Sequence, residues 1–220
     1  MDPARILELI AILALPIVLA ITLHEVAHGW AAKQLGDSTA FKLGRLSLNP
    51  LRHVDPLGTL VVPLGLAFLT QGQWYFGWAK PVPVVFENLN NPKRDMVLVA
   101  AAGPGANLAM ATLWTLIHVG ATLGGFVNGD WIISVCQAGI YFNTLLMVFN
   151  LLPIPPLDGG RVLSGLLPNE ASRVVDRIEP FGFIIVILLM LPPVAILGTL
   201  LEPFMRFFLD FFYQAIRDLT

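Results

Sequence analysis

Long apolar runs dominate the chain, and short stretches rich in charge, glycine or proline separate them. Four runs have the length of a membrane span, at 4–35, 96–119, 131–152 and 181–201. A helix rises 1.5 Å per residue, so about 20 residues suffice to cross a hydrocarbon core of about 30 Å. The pattern therefore predicts an all-α polytopic membrane protein with about four transmembrane helices.

Lysine and arginine gather in three of the connecting segments, 33–56, 80–94 and 160–179, and are absent from 120–130. By the positive-inside rule the three basic segments are expected on the cytoplasmic side, with the N-terminus outside. The apolar segment 57–71 lies between two of them. It is therefore predicted to be re-entrant, because a crossing would put one basic segment on the wrong side.

Two further stretches do not fit a spanning helix. Residues 74–86 are rich in aromatic residues and valine and contain two prolines. Because proline cannot donate to the interior of a β-ladder, this composition predicts a small membrane-associated β-hairpin with an exposed edge. Residues 203–219 place charged residues between phenylalanines, which predicts an amphipathic helix at the membrane interface. We expect one membrane-embedded domain over 1–220, with a core at 4–165 and a C-terminal span and tail at 180–219.

Composition supports a membrane protein and excludes other classes. The chain is 56% hydrophobic and 13% charged, whereas soluble domains carry about 25% charged residues. Its net charge of -2 gives no basic surface of the kind that nucleic acid requires. The single cysteine, Cys136, allows neither an intrachain disulfide nor a cysteine-rich metal site. The start of the chain lacks the basic region and small-residue cleavage site of a signal peptide, so we expect a retained helix.

The segment "ITLHEVAHGW" (21–30) places three ionisable residues inside the first apolar run. On a helix His24 and His28 lie one turn apart on one face, where both can bind one zinc ion at ~2.0–2.1 Å. Glu25 lies beside that face and can act as general base toward a water at the metal. A central charge in a spanning helix costs ~2.5–3.5 kcal/mol on insertion scales, so such residues usually mark functional sites. Polar packing and a proton relay are the alternatives.

A catalytic zinc usually has three protein ligands and one water, so a third ligand is expected. Asp158 is the best candidate, because it follows an apolar run near the cytoplasmic side and a proline-rich turn can aim it inward. A helix N-cap is its alternative role. His53, in a basic segment, is a weaker candidate, and His118 lies near the outer end of its span, at the wrong depth.

Three motifs together resemble the site-2 protease family of intramembrane zinc metalloproteases: "HEVAHGW", "AAGPGAN" and "NLLPIPPLDGG". The family patterns His-Glu-x-x-His and Asn-x-x-Pro-x-Pro-x-x-Asp-Gly are both met, the second from Asn150 to Gly159. The match covers roughly residues 10–165 and is closest to compact members without a PDZ domain. The resemblance implies that His24, His28 and Asp158 bind one zinc ion and that Glu25 is the general base.

Three asparagines accompany these motifs. Asn107 opens the second span at the expected depth of the zinc, so its amide is predicted to hydrogen-bond the substrate or the oxyanion. Its alternative role is helix packing beside Gly103 and Gly105. Asn150 is a candidate to orient Asp158 or to line the site. Asn143 lies on much the same helix face as Asn150 and is more simply explained as interhelical packing.

The resemblance implies an intramembrane endopeptidase that cleaves within or near transmembrane segments in regulated intramembrane proteolysis. Its expected partners are a transmembrane protein substrate and membrane lipid, without nucleic acid, and the oligomeric state stays open. We expect a multi-pass protein of the cell membrane, with its active site nearer the cytoplasmic side. The alternative is a membrane zinc transporter or metal sensor, which explains Glu25 less well and usually shows internal repeats. An inactive scaffold has no support, because Glu25 and all three ligands are present.

Overall fold

The computed structural model describes residues 3–69, 71, 77–190 and 196–220. The described chain is all-α, as predicted, and its α-helices are α1 Pro3–Gln34, α2 Thr39–Lys42, α3 Val62–Leu69, α4 Pro92–Leu123, α5 Trp131–Asn150, α6 Asp158–Leu166, α7 Asn169–Met190 and α8 Ile196–Leu219. Short 3-10 turns cover Pro50–Arg52 and Phe86–Asn88, and a π-helical turn at Pro56–Val61 leads into α3.

Three helices of the described chain are long and apolar enough to cross a membrane: Leu7–Gln34 of α1, α4 and α5. They pack against one another and form the centre of the fold. The predicted span at 181–201 is not among these three helices of the described chain. Its residues are divided between the end of α7 and the start of α8, and 191–195 lie outside the described residues. A count of four spans is therefore not confirmed.

The C-terminal helix α8 packs lengthwise along α5. Leu197, near its start, belongs to a buried cluster with Met147 from the last turns of α5. Phe212, near its end, packs in a second cluster with Ile140 from nearer the start of α5. The two helices are therefore antiparallel over most of their length. Residues 203–219, which we expected to form an interfacial tail, instead cover one side of the helical bundle.

The predicted β-hairpin is not confirmed. Residues 77–85, called here the 77–85 segment, contain no helix, turn or bend and form no strand with any described residue, and 72–76 lie outside the described part of the chain. Val85, at the end of the segment, is extended. The backbone donors of the segment bind loops and carboxylates instead of a ladder: Trp78 N–H binds the Gly58 carbonyl at 3.1 Å and Lys80 N–H binds the His53 carbonyl at 2.8 Å. Prolines 81 and 83 have no N–H to offer.

The described residues on either side of α3 lie close together at one end of the segment. The chain departs after Asp55, whose carboxylate caps the π-helical turn by accepting from Leu57 N and Gly58 N. It comes back beside its starting point, because the Lys80–His53 backbone bond ties the return to the departure. The re-entrant assignment itself stays a prediction.

Candidate metal centre

Two elements distant in sequence bring three ligand atoms together. His24 and His28 project from α1, and Asp158 is the first residue of α6. The two Nε2 atoms are 3.0 Å apart, and Asp158 Oδ2 lies 3.2 Å from His24 Nε2 and 3.3 Å from His28 Nε2. All three side chains are buried, and they are the one group of described residues whose ligand atoms cluster closely enough to hold a metal ion.

The geometry of this triangle fits a tetrahedral metal ion. Ligands at 2.0–2.1 Å from a tetrahedral zinc ion lie about 3.3 Å from one another, and the observed separations are 3.0–3.3 Å. Asp158 Oδ2 is buried and receives no hydrogen bond from any described residue. A buried carboxylate oxygen without a donor is costly unless a cation or a charged partner meets it. The residues therefore fit the zinc that the sequence predicts.

His28 is oriented by the main chain of α4. Its Nδ1 lies 2.8 Å from the Val99 carbonyl oxygen. Because a carbonyl can only accept, His28 Nδ1 carries the hydrogen and its Nε2 is left with the lone pair that a metal requires. Ligating histidines usually make such a second bond. Val99 could not be predicted from its residue type, since any residue at that position supplies the same carbonyl.

Glycine at 103 lets α4 approach the histidines. A Cβ atom at this position would lie 2.6 Å from His24 Cε1 and closer still to His28 Nε2. Real Cβ atoms essentially never come within 3.0 Å of another heavy atom. The motif "GPG" (103–105) thus contains one glycine that the site requires, whereas Gly105 has nothing within 4 Å of an added Cβ.

Asp158 is aimed by the turn between α5 and α6. Helix α5 ends at Asn150, and the prolines that follow cannot continue it. The chain then folds back closely, since a Cβ on Gly159 would meet the carbonyl of Leu151 and a Cβ on Gly160 would meet the backbone of Pro155. No larger residue fits this turn. Asp158 lies inside the first turn of α6, with Leu157 as the N-cap residue, so the capping alternative does not describe its place.

Glu25 faces the same site from the next position of α1. Its Oε2 accepts a hydrogen bond of 2.7 Å from the Val82 N–H of the 77–85 segment. Both residues line a cavity of about 850 Å³, together with the three ligand residues, and most of the other lining side chains are apolar. Glu25 is thus held in a largely apolar cavity by the backbone of the 77–85 segment.

Asp37 anchors the far end of the 77–85 segment. The carboxylate is fully buried and accepts from Val85 N–H at 2.8 Å, from the Asn88 amide at 3.1 Å and from Thr39. Burial raises the pKa of Asp37, but the bonds from Thr39, Val85 and Asn88 outweigh it and hold the pKa below its ordinary value. Sequence reasoning missed this residue, because a single aspartate at the end of a helix resembles any loop residue.

The structure gives Asn107 a different place from the one we predicted. Its side chain is fully buried behind His24, and it is not among the residues that line the cavity. Its Oδ1 lies 2.6 Å from His24 Nδ1, and its Nδ2 donates to the Ala20 carbonyl and to Asn143 Oδ1. Both amide hydrogens are already donated, so Asn107 has no free N–H to offer an oxyanion. Asn150, in contrast, lines the cavity, with its Nδ2 bonded to the Leu146 carbonyl at 2.9 Å.

The two other candidate histidines do not join the triangle. His53 lines the cavity, but its Nε2 lies 2.8 Å from the Ser47 carbonyl oxygen. His118 is eleven residues beyond Asn107 on α4, about 16 Å along the helix axis, and its Nδ1 contacts the Thr122 hydroxyl at 3.3 Å. Asp158 is therefore the third residue that the fold brings to the two histidines of α1.

Two histidines one helical turn apart, a facing carboxylate and an adjacent glutamate on an apolar helix define the class of a membrane metallopeptidase. Comparisons with known proteins agree. Residues 117–192 match the model of Peptidase family M50. The chain is 38% identical to the inferred zinc metalloprotease YwhC of Bacillus subtilis, over 85% of this chain and 83% of that protein. It is 32% identical to the inferred zinc metalloprotease Rip2 of Mycolicibacterium smegmatis, over 87% of this chain and 72% of that protein.

A more distant relative, the inferred zinc metalloprotease MJ0611 of Methanocaldococcus jannaschii, is 26% identical over 64% of this chain and 62% of that protein. No solved structure matches the chain. The identity and coverage of the first two relatives decide the assignment. The chain belongs to Peptidase family M50, the site-2 protease family, and it is a membrane metalloprotease.

Proposed function

We propose that the protein is an intramembrane zinc endopeptidase that hydrolyses peptide bonds within or near the transmembrane segments of other membrane proteins. The observation that carries this proposal is the depth of the ligand triangle. His24 lies ten residues before the end of α1 at Gln34, about 15 Å along the axis of an apolar spanning helix. A peptidase site at that depth can reach a transmembrane segment that enters sideways.

One zinc ion per chain would be held by His24, His28 and Asp158. When bound, zinc polarises a peptide carbonyl and lowers the pKa of a water to about 7. The role of Glu25 is to accept the proton of the attacking water and pass it to the leaving amine. Because the Val82 N–H holds Glu25 Oε2 at 2.7 Å, this carboxylate is already oriented in the cavity before substrate arrives.

The 77–85 segment offers a template for an extended substrate. In extended backbone, Val82 and Val84 present their N–H and C=O groups to the same side, and both residues line the cavity. The Val82 N–H is used by Glu25 and the Val85 N–H by Asp37. Among described residues the Val84 N–H has no hydrogen-bond partner. A substrate unwound into a strand can pair there, as in other cases of β-strand addition.

The distribution of basic residues supports an active site nearer the cytoplasmic side of the cell membrane. The Asn90 N–H binds the Leu35 carbonyl at 2.8 Å, which joins the end of α1 to the start of α4 at one end of the bundle. The basic segments lie at the end of the bundle where α1 ends and α4 begins. His24, His28 and Asp158 lie nearer to this end than to the opposite one. The connection 124–130 lies at the opposite end and contains no lysine or arginine. The positive-inside rule assigns the basic end to the cytoplasm.

The test is the substitution Glu25→Gln, which keeps the size of the side chain and removes its basicity. Purified full-length protein in proteoliposomes is given a panel of tethered reporters whose transmembrane segments carry glycine or proline near the cytoplasmic end. We expect the variant to retain zinc and lose cleavage, whereas Glu87→Gln, an exposed control, cleaves normally. Cleavage by Glu25→Gln at the wild-type rate would contradict the proposal. Zinc flux without cleavage in the wild type would favour the transporter.

A further inference from the structure

A chain of hydrogen bonds runs behind the metal centre through all three central helices. Asn107 of α4 and Asn143 of α5 are both fully buried. Asn107 Oδ1 lies 2.6 Å from His24 Nδ1, and Asn107 Nδ2 donates to Asn143 Oδ1 at 3.0 Å. Neither asparagine lines the cavity that holds the ligand triangle. Buried amides are costly unless satisfied, so this arrangement has a definite structural role.

The direction of every bond in this chain is fixed by two backbone carbonyls. Asn107 Nδ2 also donates to the Ala20 carbonyl at 3.2 Å, and Asn143 Nδ2 donates to the Gly139 carbonyl at 2.8 Å. A carbonyl oxygen can only accept, so the NH₂ group of each amide must face it. Rotating either amide by 180° would place oxygen against oxygen. The oxygen of Asn107 therefore has to face His24.

The fixed direction of the amides determines which nitrogen of His24 carries hydrogen. Because Asn107 Oδ1 can only accept, His24 Nδ1 must donate. In a neutral imidazole the other nitrogen, Nε2, then carries the lone pair. That nitrogen is the one that lies 3.2 Å from Asp158 Oδ2 and 3.0 Å from His28 Nε2. The chain of amides thus presents the metal-binding lone pair of His24 to the triangle.

We propose that Asn107 and Asn143 form a directional relay across α1, α4 and α5 that holds His24 in the Nδ1–H tautomer and thereby sets the metal affinity of the site. Both are positioning residues, and the side-chain hydrogen bonds of Asn143 among the described residues go to Asn107 and Gly139 and not to a ligand residue. This proposal rests on the proposed metal site at His24, His28 and Asp158. His28 is oriented in the same way by the backbone carbonyl of Val99. Of the two histidines, His24 is therefore the one whose orienting hydrogen bond comes from a side chain.

The expected loss of zinc affinity follows from the contact between Asn107 and His24. Loss of a group that orients a ligating histidine typically costs 10–100-fold in metal affinity. Asn107→Leu removes the acceptor for His24 Nδ1, so we expect zinc binding weaker by about 10–100-fold. Asn143→Leu leaves the Asn107 amide bonded to the Ala20 carbonyl, so its loss should be smaller. Thr144→Val is the matched control, because Thr144 is equally buried on α5 and its hydroxyl has no partner among described residues.

The experiment uses full-length protein in detergent and two measurements. Zinc affinity is obtained by competition with a chromophoric chelator for the wild type, Asn107→Leu, Asn143→Leu and Thr144→Val. The tautomer is read from the ¹⁵N NMR shifts of labelled histidine in metal-free protein at about pH 8, where free imidazole is neutral. The His24 signals are assigned by their loss in His24→Gln. The NMR measurement on the wild type needs no substitution in the relay.

We expect Nδ1–H for His24 in the wild type and in Thr144→Val, with a mixture of tautomers in Asn107→Leu. We also expect weaker zinc binding in both leucine variants and an unchanged affinity in Thr144→Val. A neutral wild-type His24 with its proton on Nε2 alone would overturn the relay, as would leucine variants that bind zinc as tightly as the wild type. A folded wild type that shows Nδ1–H at His24 but binds no zinc would contradict the proposed metal site and leave the tautomer assignment standing.

Discussion

The close approach of α4 to the ligand histidines makes Gly103→Ala a severe substitution despite its small size. The added Cβ would lie 2.6 Å from His24 Cε1 and nearer still to His28 Nε2, whereas ordinary contact begins at 3.4 Å. The His24 ring would have to withdraw by about 0.8 Å, while metal–ligand distances in a well-formed site hold within about 0.2 Å. The ring cannot withdraw this far and still bind the metal with normal geometry.

The free-energy cost of this steric clash gives the expected loss of zinc affinity in Gly103→Ala. Overpacking of a dense interior by one methyl group typically costs about 1–3 kcal/mol. If the histidines relieve the clash by leaving the metal position, the same energy weakens zinc binding by about 5- to 150-fold. Gly105→Ala is the matched control, since it lies on the same helix and its added Cβ has nothing within 4 Å.

The assay is zinc affinity by chelator competition on detergent-solubilised protein, with thermal unfolding measured in parallel. We expect Gly103→Ala to lose zinc affinity and Gly105→Ala to match the wild type. Wild-type zinc affinity in a folded Gly103→Ala protein would refute the claim that α4 and the ligand histidines are packed to contact.

Two further predictions concern the 77–85 segment. Val84→Pro removes a backbone N–H that has no partner among described residues, so it should lower reporter cleavage with zinc retained. Cleavage by Val84→Pro at the wild-type rate would contradict strand addition. Val85→Pro also breaks the hydrogen bond to Asp37, so it should lower the unfolding temperature as well as the cleavage. Because the pKa of Asp37 is lowered in the fold, its carboxylate stabilises the protein above its unfolded pKa of about 3.9, and this stability is lost as pH falls through the lower folded value. The difference in unfolding temperature between wild type and Asp37→Asn should therefore be full near neutral pH and shrink in acid; a difference that grows in acid would contradict this.

Local geometry explains why part of the site could be predicted. Residues four apart on a helix share a face whatever the rest of the fold does, so the pairing of His24 and His28 follows from sequence alone. The approach of Asp158 follows from the proline-rich turn and the family motif together, and the structure brings its carboxylate to 3.2 Å from His24. The all-α class followed from the length of the apolar runs.

The expectations that differed all depended on distant partners. The β-hairpin was inferred from composition, but the carboxylates of Glu25 and Asp37 take the Val82 and Val85 donors that a ladder would need. Asn107 was placed at the correct depth, yet sequence cannot tell which neighbour its amide faces. That orientation depends on Ala20 and Asn143, which belong to two other helices.

Residues 203–219 are a further case in which the packing partner of a helix could not be predicted from the sequence. Its phenylalanines and charges alternate as they do in an interfacial helix, and nothing in that pattern shows that α5 presents an apolar groove to α8. Phe212 is buried against Ile140, while Phe207 on the same helix stays exposed. Amphipathicity gives the two faces of a helix, and only the packed fold shows what covers the apolar one.

The metal centre is tested by the zinc content per chain of folded, detergent-purified protein, measured for the wild type, Asp158→Ala and His53→Ala. We expect about one zinc ion per chain in the wild type and in His53→Ala, with clear loss in Asp158→Ala, because three converging ligands are needed for a tight site. Absence of zinc from the folded wild type, or full retention in Asp158→Ala, would contradict the assignment of the metal centre.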